Sequence, residues 1–184
     1  MYNSEDSYGG PSKALHWIVL LAMIGMSVVG FYFSDMPRGD EKTAIMKLHA
    51  STGLFLFALM AVRLYLKAKG ARVAPIDPSA TRLNRIAASV HHLLYLLIFF
   101  VIGAGMFTIL TTGTALPFFG VFEIASPFEG DRDLHHLFED LHKYGWWVLT
   151  GFVSLHLVGA LYHHFKLGDG TLGRMWFAAK DDQD

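Results

Sequence analysis

The apolar residues of this chain do not recur at the spacing of a one-sided helix or strand. They run together in four blocks, 14–33, 48–66, 90–111 and 144–165. Each block is about the twenty residues that a helix needs to cross a bilayer. The first carries no formal charge. The second carries only Arg63, near one end, where a long side chain can snorkel to the headgroups. The pattern predicts an all-α integral membrane protein, a four-helix bundle forming a single domain over residues 1–184. Between the blocks the chain turns polar, broken by Pro75 and Pro78 in one link and by Pro117, Pro127 and Gly130 in another. A helix start is expected near Ser79. In the long link 112–143, Leu134, Leu137, Phe138 and Leu141 fall at helical spacing behind Asp131, which predicts a capped helix continuing into the fourth span. The phenylalanines from Phe118 to Phe128 predict a segment lying against the membrane interface. There is no internal repeat and no low-complexity segment.

Charge orients the bundle. Lys13, Arg63, Lys67, Lys69, Arg72, Arg82, Arg85, Lys166, Arg174 and Lys180 fall on one side of the four spans. Only Arg38, Lys42, Lys47, Arg132 and Lys143 fall on the other, facing nine acids from Asp35 to Asp140. The positive-inside rule puts both termini in the cytoplasm. The first block is too long for a typical signal-peptide core, contains His16 and lacks a small-residue cleavage site after it, so it is expected to be retained. The net charge of −1 carries no partner information, and no nucleic-acid partner is expected. The absence of cysteine excludes disulfides, thiolate-held iron–sulfur clusters and covalent haem attachment.

Ten histidines in so short and apolar a chain point to chemistry. His142 and His156 are fourteen residues apart, almost four helical turns, so both leave one face of the fourth span about 21 Å apart along its axis. His16 lies near the cytoplasmic start of the first span and His49 at the outer start of the second. The depths pair His16 with His156 and His49 with His142. Two ligands on one helix and one on each of two others suit two stacked haems. Imidazole on both sides of an iron leaves no open position and fits outer-sphere electron transfer. Gly53, Gly145, Gly151 and Gly159 would let a porphyrin or a neighbouring helix approach closely.

His91, His92, His163 and His164 form a second set at the cytoplasmic helix ends, beside the basic surface. They suit a quinone headgroup, which needs hydrogen-bond donors and protons. His135 and His136, with Glu139 and Asp140 one turn on, have the spacing of a divalent-metal site or of a solvated helix face. Met23, Met26, Met60 and Met106 read as packing residues. Trp17, Trp146 and Trp147 fit an interfacial aromatic belt, and Trp17 could stack near a haem or quinone.

The segments Leu15-His16-Trp17, Leu48-His49-Ala50 with Gly53 following, Leu141-His142-Lys143, Leu155-His156-Leu157 and Tyr162-His163-His164-Phe165 resemble the bacterial cytochrome b561 family. The likeness runs from about Ser12 to Trp176. It implies a multi-pass bundle in the bacterial inner membrane, with two haem b groups in its core held by His16, His49, His142 and His156. It also implies exchange of electrons with ubiquinone as substrate. One member of the family oxidises superoxide at the outer face, and His91 and His163 fall where its quinone-pocket histidines lie. This chain departs from a superoxide collector in its acidic outer side, since an anion is better captured by a basic entrance. A periplasmic redox protein is the other candidate outer partner: as an acceptor it would reverse the direction of flow, and the acidic surface would suit a basic one.

Two further readings remain. Related cytochrome subunits of nickel–iron hydrogenases and formate dehydrogenases imply a haem-bearing membrane anchor that passes electrons between quinone and a separate enzyme. A metal-ion transporter is a different class, and the absence of Asp and Glu from the four spans weighs against it.

Overall fold

The computed structural model describes residues 3–4 and 7–176. Lys180, counted above among the inner bases, lies outside them. Four long helices dominate: α1 (Gly10–Ser34), α2 (Asp40–Lys69), α3 (Thr81–Leu110) and α4 (Arg132–Tyr162). All four are long and apolar enough to cross a membrane. Each begins well before its apolar block, and α2 also ends later, because hydropathy reports depth in lipid and not where helical hydrogen bonding stops. Pro11 in the first turn of α1 sacrifices no helical hydrogen bond. In α2, Asp40 and Glu41 sit at the positive end of the helix dipole and Lys67 and Lys69 at the negative end. The carboxylate of Asp131 caps α4, accepting from the backbone N–H groups of Asp133 and Leu134, each at 3.0 Å. Beyond Tyr162 the helix widens into a π-helical turn, His163–Leu167, closed by Gly168 in the left-handed conformation.

Helix α3 packs closely along α4, α1 along α2, and α2 bridges to α3. A layer of Val19, Leu56, Met60, Ile98, Val101 and Leu149, drawn from all four helices, is buried at mid-depth. The outward faces expose Leu21, Val28, Leu96 and Val158, as a lipid-facing surface requires. Trp146 donates its indole N–H to the Ser27 hydroxyl at 2.9 Å, tying α4 to α1 across the bundle.

The outer link holds a hairpin that periodicity did not reveal: β1 (Leu116–Phe118) and β2 (Phe122–Ile124), antiparallel, with Phe118 opposite Phe122. Phe119 and Gly120 both take positive φ at its turn, 50° and 73°. Leu116 is fully buried, while Phe119 and Phe122 are exposed. The Ser51 hydroxyl on α2 accepts from the Phe119 N–H at 3.0 Å and so pins the hairpin to the bundle two residues from His49.

Candidate functional site

At the outer end His49 of α2 faces His142 of α4, ring centres 6.3 Å apart and planes crossed at 84°. The Nδ1 of His142 lies 2.8 Å from the Val101 carbonyl oxygen on α3. A carbonyl only accepts, so Nδ1 carries the proton and Nε2 keeps the lone pair that a metal needs. Gly105 makes this approach possible, because a Cβ there would stand 2.8 Å from both Cε1 and Nδ1 of His142. Gly30 lies beside His49, where a Cβ would stand at an ordinary 3.5 Å from its Cε1. His49 Nδ1 is buried without a hydrogen-bond partner among the described residues. Beside this ring lies an apolar recess of about 250 Å³, whose floor includes Ala22, Gly25 and Met26 of α1.

At the inner end His16 of α1 faces His156 of α4, again with ring centres 6.3 Å apart, planes at 74°. His91 of α3 is also here, 5.0 Å from the His156 ring. The Arg63 guanidinium donates to His16 Nδ1 at 3.0 Å. Arg63 and Lys67 both lie over the Tyr95 ring, at 5.6 and 4.5 Å. None of the ion pairs among the described residues involves Arg63 or Lys67, so these two bring positive charge to the inner pair.

His163 does not join His91. It turns to Asp169, whose carboxylate accepts from His163 Nδ1 at 2.5 Å and from the Thr171 N–H at 3.0 Å. Partial desolvation pushes the Asp169 carboxyl up, but the bonds from His163 and Thr171 prevail and hold it down at about 2. The contact is thus fully present at neutral pH and fades only as the pH falls towards that value. The π-helical turn and the positive φ of Gly168 bring the chain back on itself, so that a residue six positions on can reach the imidazole. The same C-terminal turn is fastened to α1, where Trp17 donates its indole N–H to the Met175 carbonyl oxygen at 2.9 Å and stands edge-on to Trp176.

Of the four glycines expected to admit close neighbours, Gly145 serves helix packing, since a Cβ there would meet Phe100 and Val101 side chains at 3.0 Å. Gly53 faces Met26 at an ordinary 3.7 Å, and Gly151 and Gly159 face nothing within 4 Å among the described residues. The glycine that matters to an imidazole, Gly105, was not singled out by sequence reasoning, and neither was Asp169. His135 and His136 lie on the outer turns of α4 beside Glu139. His92 and His164 are exposed.

A bilayer-spanning helical bundle with histidines gathered near both ends of one long helix has the plan of a membrane cytochrome. The chain matches Prokaryotic cytochrome b561 over residues 7–178 and belongs to that family. It is 28% identical over 182 residues to Cytochrome b561 homolog 2 of Escherichia coli (strain K12), covering 98% of this chain and 96% of that protein. To Cytochrome b561 homolog 1 of the same organism it is 26% identical over 168 residues, covering 88% and 92%. The family binds haem b and carries electrons across the membrane.

The residues present fit that group. Metal–imidazole bonds are about 2 Å long, so two rings clasping one ion stand with centres roughly 6 Å apart. Both facing pairs have this separation, whereas the 5.0 Å between His91 and His156 is too short for rings on opposite sides of one ion. A neutral His16 ring that ligates through Nε2 carries its proton on Nδ1 and cannot keep the bond from Arg63. Loading must therefore turn that guanidinium elsewhere.

Proposed function

We propose that this protein carries electrons through two b-type haems across the bacterial cytoplasmic membrane, with both termini inside, and delivers them to ubiquinone at the inner face. His49 and His142 hold the outer haem, and His16 and His156 the inner one. The observation that carries this reading is the repetition of one ring separation, 6.3 Å, at two depths of one bundle. Held by these imidazoles, haem would supply a one-electron iron couple for outer-sphere transfer.

The chain's own groups set the conditions at each end. The Val101 carbonyl fixes the tautomer of His142 and makes its ring a better electron donor. Arg63 and Lys67, both over the Tyr95 ring, place positive charge near the inner pair, which favours the reduced state there and draws electrons inward. Arg63→Leu is expected to lower the midpoint potential of the inner haem by on the order of tens of millivolts and leave the outer one in place, read by redox titration of the α-band. At the inner face His163, oriented through Nδ1 by Asp169, keeps Nε2 free to take up a proton from the cytoplasmic side and pass it to a reduced quinone.

The outer donor we infer is superoxide, which loses one electron to become dioxygen; two such events and two protons convert ubiquinone to ubiquinol. A second reading is favoured by one observation. Two of the five outer bases are engaged, Lys143 with Glu139 at 2.8 Å and Lys42 with the Met36 carbonyl oxygen at 2.9 Å, and nine acids share that side. That leaves an acidic face suited to a basic redox protein. Stopped-flow mixing of the purified protein with superoxide, with and without a water-soluble ubiquinone, tests the proposal. Rapid haem reduction followed by quinone-dependent reoxidation is expected. Haems that stay oxidised with superoxide but accept electrons from a basic cytochrome would transfer the assignment to the second donor. A protein that binds no haem would end both.

A further inference from the structure

We propose that His135, His136 and Glu139 form a binding site for a divalent ion of the zinc class at the outer end of α4. The ligand atoms of the three residues lie within 4.8 Å of one another. Glu139 Oε2 is the focus, 4.0 Å from Nε2 of His135 and 3.7 Å from Nδ1 of His136. Bonds of about 2 Å to a tetrahedral ion put neighbouring ligand atoms a little over 3 Å apart, so closure asks for shifts of under an ångström in side chains that are partly exposed.

Two contacts outside the trio prepare it. His135 Nδ1 lies 2.9 Å from the Thr108 carbonyl oxygen at the outer end of α3. That oxygen can only accept, so the proton is on Nδ1 and the lone pair of Nε2 points towards Glu139. Metal-binding histidines are held in the same way. Lys143 Nζ takes the other carboxylate oxygen, Oε1, at 2.8 Å, which fixes the rotamer of Glu139 with Oε2 turned to the imidazoles. A solvated helix face has no need of a carbonyl from another helix to orient one of its histidines. One contact opposes the site: Arg132 Nε stands 3.5 Å from Nε2 of His136, and it must swing out when Nδ1 of that ring binds an ion. Arg132 is exposed and free to do so. With a water, three protein ligands complete the four-coordinate shell that zinc prefers. The nitrogen-donor imidazoles select against magnesium and calcium, which prefer oxygen ligands.

The site is independent of the haem ligands, and its test does not need electron transfer. Zinc is titrated calorimetrically into the purified protein in detergent, with magnesium in a parallel run. About one zinc per chain is expected, with no magnesium binding. Glu139→Gln, His135→Ala and His136→Ala should each weaken zinc binding by about tenfold or more, while His164→Ala, at the inner end, should change nothing. Glu139→Gln keeps the shape of the residue, so a failure of that variant to fold is not expected. Circular dichroism checks each variant. Binding that survives all three substitutions, or no stoichiometric binding at all, overturns the proposal, whatever the haem content proves to be.

Discussion

His142→Ala is expected to cut the haem content of the purified protein from two per chain to one. The ring is one half of the outer pair, 6.3 Å from His49. The neighbouring groups offer no replacement. His135 is two turns away on α4 and tied to the Thr108 carbonyl. The inner pair lies on the far side of the buried layer around Leu149. A haem held by His49 alone would be five-coordinate and weakly bound. His156→Ala should do the same to the inner haem, with one difference. His91 already stands 5.0 Å from the His156 ring, so it could take up a vacated position and leave a haem of altered potential in place of an empty site. Pyridine haemochrome assay against protein concentration, together with the low-spin spectrum, distinguishes these results. If His142→Ala retains two six-coordinate haems, the pairing by depth is wrong.

Gly105→Val is expected to disable the outer site nearly as thoroughly, although the residue has no chemistry of its own. Even a single Cβ at this position would sit 2.8 Å from two atoms of the His142 ring, closer than atoms normally approach. The ring cannot simply tilt away. Its Nδ1 is held at 2.8 Å by the Val101 carbonyl of the same helix, and its other nitrogen is committed if it binds iron. Valine adds two methyl groups to that clash, and overpacking of this kind costs about 1–3 kcal/mol or more. Losing the orienting carbonyl adds a further weakening of about 10- to 100-fold in metal affinity. Gly103→Val is the control, since a Cβ there meets nothing within 4 Å. The expected result is loss of the outer haem in Gly105→Val with full retention in the control. Equal behaviour of the two variants would show that Gly105 is not part of the outer site.

These two residues mark how far the chain could be read before its fold was known. Depth is legible, because a continuous apolar block is an address in the bilayer and fourteen residues of helix is a length. The four spans and the Asp131 cap follow from that kind of information. Lateral neighbours are not legible. Nothing in the spacing of α3 distinguishes Gly105, under an imidazole, from Gly103, which faces open space. Nor does spacing show that His91 comes nearer to His156 than His16 does, while His163 is drawn away to Asp169. That last contact needs a π-helical turn and a left-handed glycine, both decided by how the end of the chain folds back. The outer hairpin was missed because three-residue strands leave no period to detect, and its turn places Phe119 at positive φ, which a sequence gives no reason to expect.

The buried layer of Val19, Leu56, Met60, Ile98, Val101 and Leu149 also decides the energetics of turnover. It offers no hydrogen-bonding group along which a proton could hop, and the spans hold no carboxylate to help one through. On the proposed route, electrons tunnelling inward through it would therefore travel without compensating protons, and the protons for a quinone reduced at the inner face would come from the cytoplasm. Each turnover then charges the membrane like a capacitor, inside negative. A standing voltage of that sign pushes back by about 2.3 kcal/mol per electron for every 100 mV. An energised cell would slow this protein, and a depolarised one would let it run fastest.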